Sequence, residues 1–301
     1  MPSNRLSVRG HFVSVGEFFI MSQARKQNSI GFPPGMLGDA PLRMPVVGEA
    51  EGWIAVEKPA GVGVREYPWD AGVPDMDTAL NKQLQAEKPE LVKRGATLFG
   101  SAYYLDPAIS GVGLFAKNRE SLTELKNLVG SAELRYRFLF VTKARAAGGV
   151  RVVAADAPLL PHNTKPKMIP STAKGKKTKT EFKLLSESKL GWALWEATTA
   201  FLRPHQIRAH AAVHELSILG DVLYGGPEAP LLSELLPNKR TSGIRFPVFS
   251  DLALHLREVT LPVEGEASSG AVSLRAELPR HFRVMLQRMQ LTDPDEKPPE
   301  S

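Results

Sequence analysis

Tyr104-Leu105-Asp106-Pro107-Ala108-Ile109-Ser110-Gly111-Val112-Gly113-Leu114-Phe115-Ala116-Lys117 is the stretch on which the reading of this chain turns. Asp-Pro opens a turn, Ser110-Gly111 closes it, and Val112 to Lys117 is an apolar run of strand length. One carboxylate therefore stands at the mouth of a folded core, where burial and a cationic neighbour govern its ionisation. An aspartate before proline is most often a turn residue bonded to its own backbone. Asp106 becomes a catalytic candidate through a second stretch farther along the chain.

That stretch is Arg203-Pro204-His205-Gln206-Ile207-Arg208-Ala209-His210. Pro204 suits the first turn of a helix, predicted here to run to about Leu216. A helix start favours an anion, and arginine adds a planar fork that matches carboxylate or phosphate. Arg203 reads equally well as a solvated helix end. Arg208 sits among Ile207, Ala209, Ala211 and Ala212, where a guanidinium needs a partner. The two stretches together suggest a one-carboxylate enzyme working on a polyanion. His210 and His214 are four apart with Glu215 beside them, but the order is not His-Glu-x-x-His and no third ligand is evident. Packed or capping histidines are expected there, and no metal.

The chain has 301 residues, 43% of them hydrophobic and 23% charged, enough for one large domain or two small ones. Lys plus Arg number 38 against 32 Asp plus Glu, a net +6 that favours an acidic partner such as nucleic acid. There is no cysteine, which excludes disulfides, thiolate zinc sites and cysteine nucleophiles. No apolar run approaches the ~20 residues of a membrane span. Phe18-Phe19-Ile20-Met21 is too short for a signal peptide's apolar region. A soluble cytoplasmic protein without membrane association is the expectation, and a monomer.

Residues 1–45 read as a partly ordered N-terminal extension carrying Gly31-Phe32-Pro33-Pro34-Gly35. The domain proper is expected over 46–290, its first strand in Trp53-Ile54-Ala55-Val56-Glu57-Lys58 before the Pro59-Ala60-Gly61 turn. Thr78 to Gln85 predicts a short helix. A second helix follows Lys117, capped by Asn118 or by a Ser121–Glu124 capping box, striped by Leu122, Leu125, Leu128 and Val129, and ended at Gly130. Tyr136 to Val141 is apolar enough for a central strand. Lys165, Lys167, Lys174, Lys176, Lys177, Lys179 and Lys183 mark a basic loop running into a strand near Thr180 to Leu185. Trp192 to Ala200, Leu252 to Leu256 and Ala271 to Ala276 predict further strands, with turns at Gly220-Asp221 and Gly225-Gly226. Residues 291–301 read as a polar tail. Strands and helices are interspersed without strict alternation, which favours an α+β fold.

Two features have both a bland and a functional reading. Tyr136 is either a core aromatic with a satisfied hydroxyl or a ring that stacks on a flipped base. The lysine run is either a solvated loop or a set of phosphate contacts with strong salt dependence.

In this order, the pieces resemble the RluA-type pseudouridine synthases over roughly residues 50 to 262. Trp53 to Gly61 is similar to the family's opening strand and Lys-Pro-x-Gly. Leu105-Asp106 with Ser110-Gly111 resembles its His-Arg-Leu-Asp-x-x-Thr-Ser-Gly motif. His205 to His210 resembles His-Gln-Ile-Arg-Val-His, Ile218 to Gly226 the segment after it, and Leu254-His255 the late Leu-His-Ala strand. The resemblance implies an α+β fold with a mixed, mostly antiparallel central sheet, flanking helices and an RNA-binding cleft. It implies conversion of uridine to pseudouridine in rRNA or tRNA without metal or organic cofactor. Asp106 would be the essential carboxylate, Arg208 its partner, and Tyr136 the ring on the base. Tyr104, Arg203, His205, Gln206, Lys58, Lys174, Lys176 and Lys177 would contact substrate or RNA. Tyr103-Tyr104 stand where the family has His-Arg, Ile109 where it has threonine, and Leu202 where it has glycine. A non-catalytic RNA-binding relative is the alternative. A glycosidase-like hydrolase would need two opposed carboxylates, and the sequence marks one.

Overall fold

A computed structural model describes residues 28–145, 151–235, 245–264 and 269–295. The described residues open with β1 (Ser29–Phe32) and β2 (Leu42–Glu49), an antiparallel hairpin, followed by β3 (Trp53–Lys58). Helices α1 (Met76–Gln85) and α2 (Pro89–Val92) lead to β4 (Gly100–Ser101) and β5 (Ser110–Ala116). Helix α3 (Arg119–Gly130) precedes β6 (Arg135–Lys143) and β7 (Val152–Ala155). A small ribbon, β8 (Leu159–Pro161) and β9 (Met168–Pro170), precedes β10 (Thr180–Glu187) and β11 (Trp192–Thr199). Then come α4 (Gln206–Val213), α5 (Leu232–Leu235), β12 (Leu254–Glu264), β13 (Ser269–Arg275) and α6 (Arg280–Arg288).

The strands form one large sheet in the order β1-β2-β3-β5-β12-β6-β11-β10-β7, with β13 on β12 and β4 on β5. Among the described strands only β5 and β12 pair in parallel; the other pairs are antiparallel. The fold is thus α+β with a mixed, mostly antiparallel sheet. Burial explains the order. Every residue of β5 is buried, as are Phe138 to Thr142 of β6, the pattern of strands covered on both faces. Strand β10 instead alternates, with Thr180, Phe182 and Leu184 in and Glu181 and Lys183 out. No helix among the described residues is long and apolar enough to cross a membrane.

The expected strands and the first two helices form close to their predicted positions. Asn118, not Ser121, caps α3: its side chain accepts from the Ser121 N–H at 2.8 Å. The helix thus starts one turn before the Ser121–Glu124 pair. The compact unit begins earlier than the run at Trp53. Met44 and Val46 are buried on alternate positions of β2, a period masked in the sequence by Pro45 and by the brevity of β1. Residues 1–27 of the expected extension lie outside the described residues. Helix α6 was not expected; it buries Phe282, Met285 and Leu286. At the C-terminal end, Leu291 is buried and Asp293 pairs with Arg257, so residues 291–295 pack on the domain. Residues 296–301 lie outside the described residues.

The β5–β12 contact is close. Gly111 has φ +132°, and a Cβ there would lie 2.2 Å from the Leu256 carbonyl oxygen, so glycine is required. One residue earlier, Ser110 Oγ lies 2.9 Å from His255 Nδ1, and His255 Nε2 lies 3.4 Å from the Ala276 carbonyl. The carbonyl accepts only, so Nε2 carries the proton and Nδ1 accepts from the serine. Burial pulls the His255 pKa down to about 3. The folded value lies below the ordinary one, so the neutral ring's stabilisation is complete above about 6.5 and is lost as pH falls toward 3. Going from pH 7 to 5 should remove about 2 kcal/mol from wild type and nothing at this position from His255→Asn. Urea unfolding of both proteins at the two pH values checks this: the gap between them must narrow by that amount, and a constant gap refutes it.

Candidate active site

Asp106 lies in the turn that leads into β5, its carbonyl accepting from the Ile109 N–H at 3.0 Å. The turn is tied to the end of β3. Pro107 O accepts from the Gly61 N–H at 2.9 Å and from Lys58 Nζ at 3.2 Å, and the same ammonium donates to Pro59 O at 2.9 Å and Val62 O at 2.6 Å. Burial lowers the Lys58 pKa to about 7, against the pull of the Asp106 charge. The Asp106 side chain is 2% exposed. Its Oδ2 accepts from Arg208 Nη1 at 3.3 Å, while Oδ1 has no hydrogen-bond donor among the described residues. His205 Nε2 stands 3.4 Å from that free oxygen.

Arg208 is buried on α4, as its apolar neighbours predicted, but Asp106 is its lesser partner. Its Nε and Nη2 engage Asp221 at 2.8 and 2.7 Å in a two-pronged pair. The remaining nitrogen, Nη1, reaches both Asp106 Oδ2 and His205 Nε2, each at 3.3 Å. The guanidinium carbon also lies 5.1 Å from the centre of the Tyr224 ring. Burial pulls the Arg208 pKa down, but the Asp221 hydrogen bonds and the charges of Asp106 and Asp221 outweigh it and raise the value. The cation is permanent.

Helix α4 starts later than proline placement suggested, at Gln206, with His205 at the N-cap in a left-handed conformation. Gln206 holds that start in place. Its Oε1 accepts from the Arg203 N–H at 3.0 Å, and its Nε2 donates to Thr180 and Thr199 hydroxyls at 3.0 Å. Gly220, with φ +80°, turns the chain to bring Asp221 under Arg208; a Cβ there would meet the Asp251 carbonyl at 2.2 Å.

Three of the residues expected to touch RNA are enclosed. Lys58, Gln206 and His205 are each 2% exposed or less. Lys58 is caged by carbonyls that the Pro59–Val62 loop folds back onto it, and Gln206 spends its amide on two strands. The His205 ring is covered by Trp69, 4.8 Å between ring centres, and by Tyr67 and Tyr224. His210 bonds Thr180 through one ring nitrogen and Ala157 O through the other, both at 2.9 Å, leaving none for a metal.

A cavity of about 10 Å³ adjoins Asp106, lined by Tyr104, Phe138, Leu202, Arg203, His205 and Arg208 among others. That is space for about one water. Tyr136 does not line it. Its ring packs edge-on to Tyr103 at 5.1 Å, and Phe138, two residues on and on the same strand face, takes the cavity position. The Tyr136 hydroxyl is buried without a partner. Tyr103 donates to Val112 O at 2.6 Å, so of the tyrosine pair only Tyr104 faces the cavity. Burial, then the Asp106 charge and the approach of the hydroxyl to the Asp106 carboxylate, raise the Tyr104 pKa; the hydroxyl lies beside that carboxylate without a well-aligned hydrogen bond. Arg203 Nε is likewise unpartnered. Lys174, Lys176 and Lys177 are exposed, on the loop before β10. Sequence reasoning did not single out Tyr67, Trp69, Asp221 or Tyr224.

Residues 52–213 match the family of RNA pseudouridylate synthases. Ribosomal large subunit pseudouridine synthase D of Xanthomonas campestris pv. campestris is 30% identical over 247 residues, covering 80% of this chain and 69% of that protein. The protein of the same description from Yersinia pestis is 28% identical over 193 residues, covering 64% and 56%. Among solved structures, Human RNA Pseudouridylate Synthase Domain Containing 4 superposes with a TM-score of 0.62 at 18% identity, over 93% of this chain and 99% of that one. Domain Containing 1 superposes at 0.52 and 17% identity, over 84% and 97%. These two share the fold.

Proposed function

We propose, from the premise that this chain belongs to the RNA pseudouridylate synthase family, that it isomerises uridine to pseudouridine in ribosomal RNA with Asp106 as its essential carboxylate. The observation that carries the reading is the unequal treatment of the two carboxylate oxygens. Arg208 anchors Oδ2, and Oδ1 is buried beside the cavity with no donor. A buried carboxylate oxygen without a donor is rare unless it is kept for chemistry.

The reaction breaks the bond from C1′ to N1 and makes one from C1′ to C5. One proton leaves C5 and one arrives at N1, so nothing is gained or lost. Nothing in that balance calls for an oxidant or a metal. It needs an anionic group that attacks the nucleoside or assists glycosidic cleavage, and a dry site that holds the detached base. The Asp106 carboxylate and its apolar surround of Leu105, Ile109, Phe138 and Leu202 fit both needs. A cavity the size of one water admits no uracil, so side chains around it must part when RNA binds. Ribosomal RNA is the substrate favoured by the two relatives described above, both named for the large ribosomal subunit.

Mapping pseudouridine across cellular RNA with and without the gene tests the assignment: one or more ribosomal sites must lose the modification when the gene is absent. A map that does not change rejects it.

The exposed lysines then serve affinity and not chemistry. Changing Lys174, Lys176 and Lys177 to Gln should lower the slope of log affinity against log salt by about 2. The turnover number at saturating RNA should hold. Filter binding across a salt series checks the slope, and a flat difference rejects the contact.

A further inference from the structure

Five non-glycine residues among those described have positive φ: Glu87, Ala132, His205, Glu215 and Gln290. Four of them follow the ends of helices α1, α3, α4 and α6, where a left-handed residue commonly closes the last turn. His205 alone precedes a helix. At φ 52° and ψ 14° it occupies the N-cap, a place for extended residues with short oxygen-bearing side chains, and makes no capping hydrogen bond. A strained, buried, titratable residue beside a reactive group points to function.

Its ring is held from several sides. Nδ1 lies 3.0 Å from the Tyr224 hydroxyl. That hydroxyl accepts from the Met168 N–H at 2.8 Å and donates its own proton to Met168 O at 3.2 Å. That single proton has a second, nearer acceptor in an unprotonated Nδ1; where it stays on Met168 O the hydroxyl can only accept from the ring, and Nδ1 of His205 carries a proton. In the neutral ring Nε2 is then an acceptor, and it receives Arg208 Nη1 at 3.3 Å and the Tyr67 hydroxyl at 3.4 Å. The same Nε2 lone pair faces Asp106 Oδ1 at 3.4 Å.

On the reading that Asp106 is the reacting carboxylate, we propose that His205 is its positioning residue: fixed by Tyr224 as the neutral Nδ1–H tautomer, it turns a lone pair and not a proton toward Asp106 and so keeps Oδ1 free for the nucleoside. A proton on Nε2 reverses this. His205 then donates to Oδ1 and caps it, and Arg208 loses one of its acceptors. The groups facing the ring are Tyr67 from the loop after β3, Asp106 from the turn before β5, Arg208 from α4 with Asp221 behind it, and Tyr224. Burial lowers the His205 pKa, opposed by Asp106 and Asp221 and aided by Arg208. Burial raises both tyrosines, so these stay protonated donors. The free form of Asp106 therefore persists through neutral pH and is lost in acid.

Nitrogen-15 labelling of the seven histidines, with His205→Asn to identify the signal, reads the ring without any turnover. Asparagine tolerates the left-handed backbone and does not titrate. The expected ring is an Nδ1–H tautomer titrating below 6.5, and lower still in Asp106→Asn, which removes the carboxylate that favours the proton. In kinetics, His205→Asn should lower kcat by about 10- to 100-fold with KM nearly unchanged, and should flatten the fall in activity below pH 7. Tyr224→Phe, which deletes one hydroxyl, should give a mixed tautomer and a smaller loss of kcat. A purely structural role would lower the Tm and leave the acid fall in place. An Nε2–H tautomer, a titration indifferent to Asp106, or an unchanged kcat overturns the proposal. Coupling without any pseudouridine formed would refute the reaction instead, a result the ring titration distinguishes.

Discussion

Asp106→Asn should give a folded protein that binds RNA and makes pseudouridine at least about 1000-fold more slowly. The substitution keeps shape and removes charge. Arg208 Nη1 can still donate to an amide oxygen, and Arg208 keeps its main partner in Asp221. Stability should therefore move by no more than about 1 kcal/mol. Affinity for RNA should hold or rise slightly, since one anion that repels phosphate is gone and no phosphate contact is lost. Single-turnover assays with excess enzyme separate the chemical step from binding. Turnover within tenfold of wild type would remove Asp106 from the mechanism.

Arg208 is the second large lever, and it acts on stability as well as activity. The Asp221 side chain is wholly buried. Arg208→Met leaves that charge without a counter-ion and should destabilise the fold by about 3–5 kcal/mol. Activity should fall too, because Asp106 Oδ2 loses its charged donor. The pair Arg208→Met with Asp221→Leu separates the two effects. Removing both charges should restore most of the stability and none of the activity. Urea unfolding and turnover, measured on the single and double variants, decide it. A single variant within about 1 kcal/mol of wild type would mean the buried pair is not the keystone its geometry implies.

The skeleton of this site was readable in the chain. A guanidinium set among Ile207, Ala209, Ala211 and Ala212 had to be buried and had to find an anion, and it does. What could not be read was which anion it holds most closely. Asp221 follows a glycine, and Gly-Asp is so ordinary a turn pair that its carboxylate drew no notice. The burial of Lys58 was illegible for a related reason: lysines usually reach solvent, and only three-dimensional closure of the Pro59–Val62 loop and the Asp106 turn supplies the carbonyls that hold it inside. Tyr136 shows the limit of periodicity. Alternation puts Tyr136, Phe138 and Phe140 on one face of β6. Which of them meets the cavity depends on where the Asp106 turn crosses the strand, a tertiary fact. Tyr67 and Trp69 come from a loop without pattern, and their role appears only once the His205 ring is in place beneath them.

The position of β12 has a consequence for how the protein comes into being. Asp106 belongs to the half-sheet of β1 to β5, and Arg208 to the half built on β6, β7, β10 and β11. The backbones of these halves are bridged by β12, residues 254–264, which follows both of them in the sequence. On the ribosome both halves emerge before the strand that joins them, and pairing across such separations is slow. Asp106 and Arg208 are therefore held in one continuous sheet only once β12 has emerged and paired on both sides.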